Sequence, residues 1–127
     1  MERLGLEDYL LIAEVVLGIH ATTLKDHTNV GMAESALAAP FAGYGDFDLY
    51  PEPATKAAIL CSRIVKNHAL PDGNKRTGLL CMIEFVRRND LTWNSPDQDE
   101  LAGTIERLAA GELSEQDFAA WVAQYVS

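Results

Sequence analysis

The chain has 127 residues, 48% of them hydrophobic and 23% charged, and 10 basic against 19 acidic residues give a formal net charge of -9. That length suits one compact domain over residues 1–127 and excludes a second. No apolar run reaches the length of a membrane span, and so acidic a surface repels a polyphosphate backbone, so neither membrane insertion nor direct nucleic-acid binding is expected.

The opening Met1-Glu2-Arg3-Leu4-Gly5 lacks the basic-then-apolar form of a secretory signal, and a cytoplasmic location is the expectation. Leu6, Leu10, Ala13 and Leu17 recur at helical spacing, and Gly18 is a natural stop. The segment from Ile19 to Val30 is polar, and its His20 and His27 read as surface residues because neither has a second ligand nearby. Met32 to Ala39 fits a short helix ended by Pro40, and the aromatic, glycine-rich stretch from Phe41 to Tyr50 fits an exposed hairpin or flap.

Pro53 opens the next helix at a position where its missing N–H costs nothing. Ala57, Leu60, Cys61, Ile64, Val65 and His68 then share one face, which puts His68 at the helix end on the buried side. After a Pro71-Asp72-Gly73 turn, Leu79 to Val86 is apolar apart from Glu84, as befits the central helix of a bundle, and Glu84 stands four residues before Arg88 in the order that favours an ion pair. Cys61 and Cys81 lie within these apolar patterns and read as reduced core thiols. Leu91-Thr92-Trp93 is a strand fragment at most. Ser95-Pro96-Asp97-Gln98 predicts a helix capped by Ser95 and ending near Gly111, and Ser114 starts a last one with Phe118, Trp121, Val122 and Tyr125 on one face. The expected fold is mostly α: a compact bundle around a central buried helix, with a small hairpin.

The chemistry gathers in nine residues, His68-Ala69-Leu70-Pro71-Asp72-Gly73-Asn74-Lys75-Arg76. An imidazole can accept a proton from an attacking hydroxyl. Asp72, just ahead of a helix start, can hold Mg²⁺ together with phosphate oxygens and water. Gly73 lets the backbone approach a ligand closely, and Asn74 can cap the helix or donate a side-chain N–H. Lys75 adds a point charge and Arg76 a planar fork for two phosphate oxygens. The N–H groups of the following helix point into the same loop, so the set reads as a phosphate-handling site. Taken singly, each residue has a plainer reading: a core histidine, a turn, a cap.

The spacing His68-x-x-x-Asp72-Gly73-Asn74-Lys75-Arg76 resembles the Fic/Doc motif HxFx(D/E)GN(G/K)R, and Lys75 followed by Thr77 is similar to its Doc branch of toxins. The likeness runs over about residues 30 to 125. It includes Glu34 to Ala38, Leu49-Tyr50-Pro51, Phe85 to Asn89, Asn94 to Asp97 and Ala110-Gly111-Glu112. It implies an ATP-using enzyme that modifies a protein hydroxyl, with His68 as catalytic base, Asp72 on Mg²⁺, and Gly73, Asn74, Lys75 and Arg76 on the nucleotide. The Doc branch implies transfer of the γ-phosphate, with translation elongation factor Tu as the target and translation arrest as the result. Glycine in place of Lys75 goes with AMP transfer, and that reaction and a non-enzymatic binding role are the alternatives. Phe41 to Tyr50 is similar to the hairpin on which Fic enzymes align their target. Leu70 departs from the motif phenylalanine that anchors the loop in the core, at an expected modest cost. Ala69 replaces a frequent proline, and Leu79 stands where a second motif arginine would be. No (S/T)xxxE(G/N) inhibitory stretch is present, so restraint is expected from a Phd-like antitoxin in trans, folding into an apolar groove of the bundle.

Overall fold

The computed structural model describes every residue from Met1 to Ser127. Helix α1 spans Leu6–Leu17, buries Tyr9, Leu10 and Ala13, and ends where Gly18 turns left-handed at φ 70. The polar stretch beyond it contains a short helix, α2 (Ala21–Lys25), which periodicity could not show because Leu24 is its one buried side chain. Helix α3 (Val30–Ala38) starts two residues earlier than its apolar pattern suggests, because the Asn29 side chain accepts from Met32 N at 3.1 Å and so caps it. A 3-10 turn, Ala39–Phe41, carries Pro40 and ends the element.

The expected hairpin is present as β1 (Gly43–Tyr44) and β2 (Phe47–Asp48), antiparallel, with Tyr44 opposite Phe47. Gly43 has φ 154, and a Cβ there would lie 2.1 Å from the Phe47 carbonyl oxygen, so no other residue fits. The Tyr44 and Phe47 side chains, 79% and 53% exposed, lie against each other rather than on the bundle, while Phe41 packs its ring on Phe85 at 6.0 Å. The hairpin base is held by Lys56. Its buried ammonium donates to Pro40 O at 3.0 Å and to both Asp48 oxygens at 2.9 and 2.8 Å.

Helix α4 (Pro53–Asn67) and helix α5 (Asn74–Arg88) form the core pair. They approach so closely at Gly78 that a Cβ there would meet Val65 Cγ2 at 2.9 Å and Cys61 O at 3.1 Å. The helix packed on most sides is α4 rather than α5: it touches α3, the 3-10 turn, α5, and both remaining helices, α6 (Gln98–Ala109) and α7 (Glu115–Ala123). The run from Leu79 to Val86 keeps Leu79, Leu80 and Ile83 only partly covered, so its apolar character marks shallow grooves on α5 as well as core. Cys61 and Cys81 are buried free thiols, as expected, and burial pushes the Cys61 thiol up to about 12.

The C-terminal third matches its sequence signals with one shift. Asp97, not Ser95, caps α6 by accepting from Glu100 N at 2.9 Å, since the Ser95 hydroxyl turns to Pro96 O instead. Ser114 caps α7 at 3.0 Å, and Gly111 is left-handed at φ 76. Trp93 forms a single antiparallel bridge with Val126, tying the strand fragment to the chain end. No helix is long and apolar enough to cross a membrane.

Glu84 pairs with Arg88 as expected, at 2.7 Å, and also with Arg87 at 2.6 Å, while Arg88 reaches across to Asp8 at 2.9 Å. Hydrogen bonds from Arg87 and Arg88 hold the Glu84 carboxyl down at about 2 against an ordinary 4.5. A lowered carboxylate stabilises the fold above its unfolded value and loses that contribution as pH falls through its folded value. The Glu84→Gln variant should therefore lose stability at neutral pH and show a flatter decline between about pH 4.5 and 2 than the wild type, read from melting temperatures across that window. Gly78→Ala should cost about 1–3 kcal/mol by overpacking the α4–α5 contact, measured by urea unfolding.

Candidate active site

Six residues, His68 to Gly73, reverse the chain between α4 and α5, and two of them do so in the left-handed region. Gly73 has φ 75 and N-caps α5, and a Cβ on it would meet Leu17 Cδ2 at 2.9 Å and Val16 Cγ1 at 3.0 Å. His68 has φ 48 and ψ 46 and caps α4. A non-glycine residue there is uncommon and moderately strained, a condition that persists where surrounding structure over-determines it. Here the surroundings are specific. The residue before it, Asn67, donates its side-chain N–H to Met32 O at 3.0 Å, and the carbonyl of the residue after it, Ala69, accepts from Asn29 N at 2.8 Å.

This geometry corrects the placement of His68. The helix ends at Asn67, the left-handed step swings the next side chain out of the apolar face, and the imidazole is exposed with no hydrogen bond to another residue. Ala69 and Leu70 take the buried places instead. Leu70 thus anchors the loop in the core as the motif phenylalanine would.

The other motif residues divide into two groups. Asn74 does not cap α5. Its Oδ1 accepts from Leu70 N at 3.1 Å and its Nδ2 donates to Leu70 O at 3.0 Å, so the amide latches the loop across its mouth. Gly73 brings backbone close to α1 rather than to open space. By contrast Asp72, Lys75 and Arg76 are exposed. Asp72 spends one oxygen on Gly73 N at 2.8 Å. Lys75 pairs with Glu106 of α6 at 2.8 Å, a half-exposed contact of the kind worth ~0–1 kcal/mol and readily exchanged for another anion. Arg76 forms no ion pair and lines, with Lys75, Leu79, Leu101, Ile105 and Glu106, a cavity of about 430 Å³ between α5 and α6. No side chain caps α5, so its first N–H groups remain directed at the loop. Glu106 was not foreseeable from the motif. It lies 31 residues beyond Lys75, and only the packing of α6 brings it there.

A resident metal centre does not fit these residues, because no group of three His, Cys, Asp or Glu side chains is placed to hold an ion. One exposed carboxylate does fit a Mg²⁺ shared with substrate phosphates, which takes few protein ligands. His20 and His27 are exposed, as expected. The hairpin is not at this site. Lys56, which holds its base, precedes His68 by twelve residues of α4, about 18 Å at 1.5 Å per residue. The hairpin tip at Asp46 lies only two residues, about 7 Å, beyond Asp48. Phe41 beside Phe85, and Glu2 N donating to Asn89 Oδ1 at 2.8 Å, fix that end of the bundle as the one opposite the motif. Alignment of a target at His68 by this hairpin therefore has no support in the geometry.

An exposed histidine on a strained helix junction, joined by a short loop to an uncapped helix start that carries two cations, makes a candidate anion-handling site in an α-helical bundle. The family model of the Fic/DOC family matches residues 6–86, and the chain belongs to that family, whose members are typically transferases acting on proteins. The chain is also similar to Toxin Doc of Mycolicibacterium smegmatis, at 29% identity over 127 residues, covering 99% of this chain and 95% of that protein.

The latch has a direct test. Asn74→Ala leaves the Leu70 N–H and C=O without partners, and should cost about 1–3 kcal/mol of stability. Hydrogen exchange should rise at Leu70 while the Cys61–Val65 amides of α4 change only through the global loss.

Proposed function

We propose that this protein is a Doc-type toxin of a toxin–antitoxin pair, acting in the cytoplasm as a protein kinase that moves the γ-phosphate of ATP to a hydroxyl of its target. The observation that carries the reading is the exposed, hydrogen-bond-free His68 imidazole at the head of the short loop that leads into the uncapped start of α5. The name of the mycobacterial relative, Toxin Doc, supports the toxin assignment. The target is taken to be translation elongation factor Tu, whose modification would arrest translation.

In this mechanism His68 accepts the proton of the target hydroxyl as its oxygen attacks the γ-phosphorus. The bond from that phosphorus to the β–γ bridging oxygen breaks and ADP leaves. Arg76 and Lys75 neutralise phosphate oxygens, Lys75 exchanging Glu106 for the nucleotide, and the α5 N–H groups meet the same charge. Asp72, through its unspent oxygen, would hold a Mg²⁺, which would supply charge to offset that of the phosphates. Gly73, Asn74 and Leu70 contribute by fixing the loop that carries these groups. A Phd-like antitoxin finds an apolar groove between α1 and α5, where Leu11 and Val15 are exposed beside Leu80 and Ile83.

Incubating the protein and elongation factor Tu with γ-labelled and, separately, α-labelled ATP tests the transferred group. Label on the target from the γ position alone is the expected result, and label from the α position would make the enzyme an AMP transferase. His68→Ala should lower either transfer by at least about 10²-fold, the scale of a lost general base. Transfer unchanged in His68→Ala would leave only a binding role for the motif.

A further inference from the structure

We infer that Glu106 is a built-in competitor for the nucleotide phosphates: it holds Lys75 against α6 until a stronger anion takes its place, and so sets how tightly the site binds; this rests on the transferase reading above. The two motif cations do not stand alike. Arg76 forms no ion pair, whereas the Lys75 ammonium is engaged by Glu106 Oε1 at 2.8 Å and by no other acceptor. All three side chains line the cavity of about 430 Å³ between α5 and α6. A polyphosphate that enters it meets one free cation and one already neutralised, and gains the second only by breaking the pair.

The pair is not needed to hold α6 in place. Thr104, Ile105 and Leu108 are buried on that part of the helix, while the Lys75 and Glu106 side chains are 47% and 65% exposed. So exposed a contact contributes little to the fold. The same buried residues stop the helix from withdrawing. Once displaced, the Glu106 carboxylate can only swing on its own side chain, and it stays at the cavity wall as a like charge facing the phosphates. Its cost therefore grows with the charge of the ligand and vanishes for a neutral one. The stretch around it is not the (S/T)xxxE(G/N) pattern, since Ala102 stands four residues before Glu106 and Arg107 follows it, and its partner is the lysine rather than the arginine.

The test measures binding apart from transfer. Wild type, Glu106→Gln, Lys75→Met and Lys75→Met/Glu106→Gln are titrated by calorimetry with ATP, inorganic tripolyphosphate and adenosine, and compared in melting temperature. Glutamine keeps the size of glutamate and suits a helix as well, so the fold should be retained within a few degrees. Expected is that Glu106→Gln binds ATP and tripolyphosphate about threefold to tenfold more tightly than wild type at low salt, with the gain narrowing as salt is added and adenosine binding the same in both. In the Lys75→Met background the same change should gain much less, because the cation it frees is gone. Unchanged or weaker polyphosphate binding in Glu106→Gln overturns the inference, as does an equal gain with and without Lys75, which makes Glu106 a bystander charge. A gain that extends to adenosine or persists at high salt means a reshaped cavity, and a marked fall in melting temperature makes the pair structural; either result overturns it too. The transferase reading stands through all of these as long as γ-label still reaches the target. If wild type binds neither ATP nor tripolyphosphate, that reading falls and takes this one with it.

Discussion

The contact between α4 and α5 at Gly78 sets the rest of the molecule. The backbones of the two helices come within reach of a Cβ there, and six residues join their ends. A reversal so short consumes its conformational freedom: Gly73 must be left-handed, and so must His68, which has no glycine's exemption. The left-handed step at His68 turns the imidazole outward. The buried Ala69 and Leu70 then hold the loop down from inside, and the Asn74 amide closes it from above.

That single reversal also gives the bundle a polarity. One end holds the loop, the uncapped start of α5, the end of α1 under Gly73 and the start of α3 beside Asn67. The other end holds the N-terminal residues, Phe41 on Phe85, and the hairpin pinned by the buried ammonium of Lys56. Burying that lysine is tolerable only because its three acceptors satisfy it, so the hairpin is tethered firmly and remotely. At the loop end two exposed cations, Lys75 and Arg76, stand beside the uncapped start of α5 in a chain whose net charge is -9.

Much of this was legible in the sequence, and the rest failed for identifiable reasons. Helix α1, the hairpin, the opening of α4 at Pro53 and the cap at Ser114 all follow from local signals that the structure keeps. The motif named its residues, but spacing cannot tell which of them face inward. His68 sits in perfect register with the buried face of α4, and only the left-handed step, invisible in a residue other than glycine, takes it off that face. Asn74 was read as a cap or a ligand donor because a helix start invites that reading, whereas its partners are the backbone groups four residues back. Composition points to the run from Leu79 to Val86 as the centre of the bundle, but part of that apolar character lines grooves on α5, while α4 is covered on more sides. The meeting of Glu106 with Lys75 depends on a contact distant in sequence, and no local pattern carries it.

The division of the motif bears on what it is for. Leu70, Gly73 and Asn74 explain the shape of the loop, and the fold needs each of them. His68, Asp72, Lys75 and Arg76 do not contribute in that way. The first has no partner, the second bonds only its neighbour, the third holds a half-exposed ion pair, and the fourth has none. A loop kept only as scaffold would need the first group and would gain little stability from the second. Gathering a strained, exposed base with two weakly engaged cations costs stability and repels charge locally, and such a cost is understandable where an anion completes the arrangement. The loop reads as two interleaved sets of residues, one folding the chain and the other available to the phosphate proposed above.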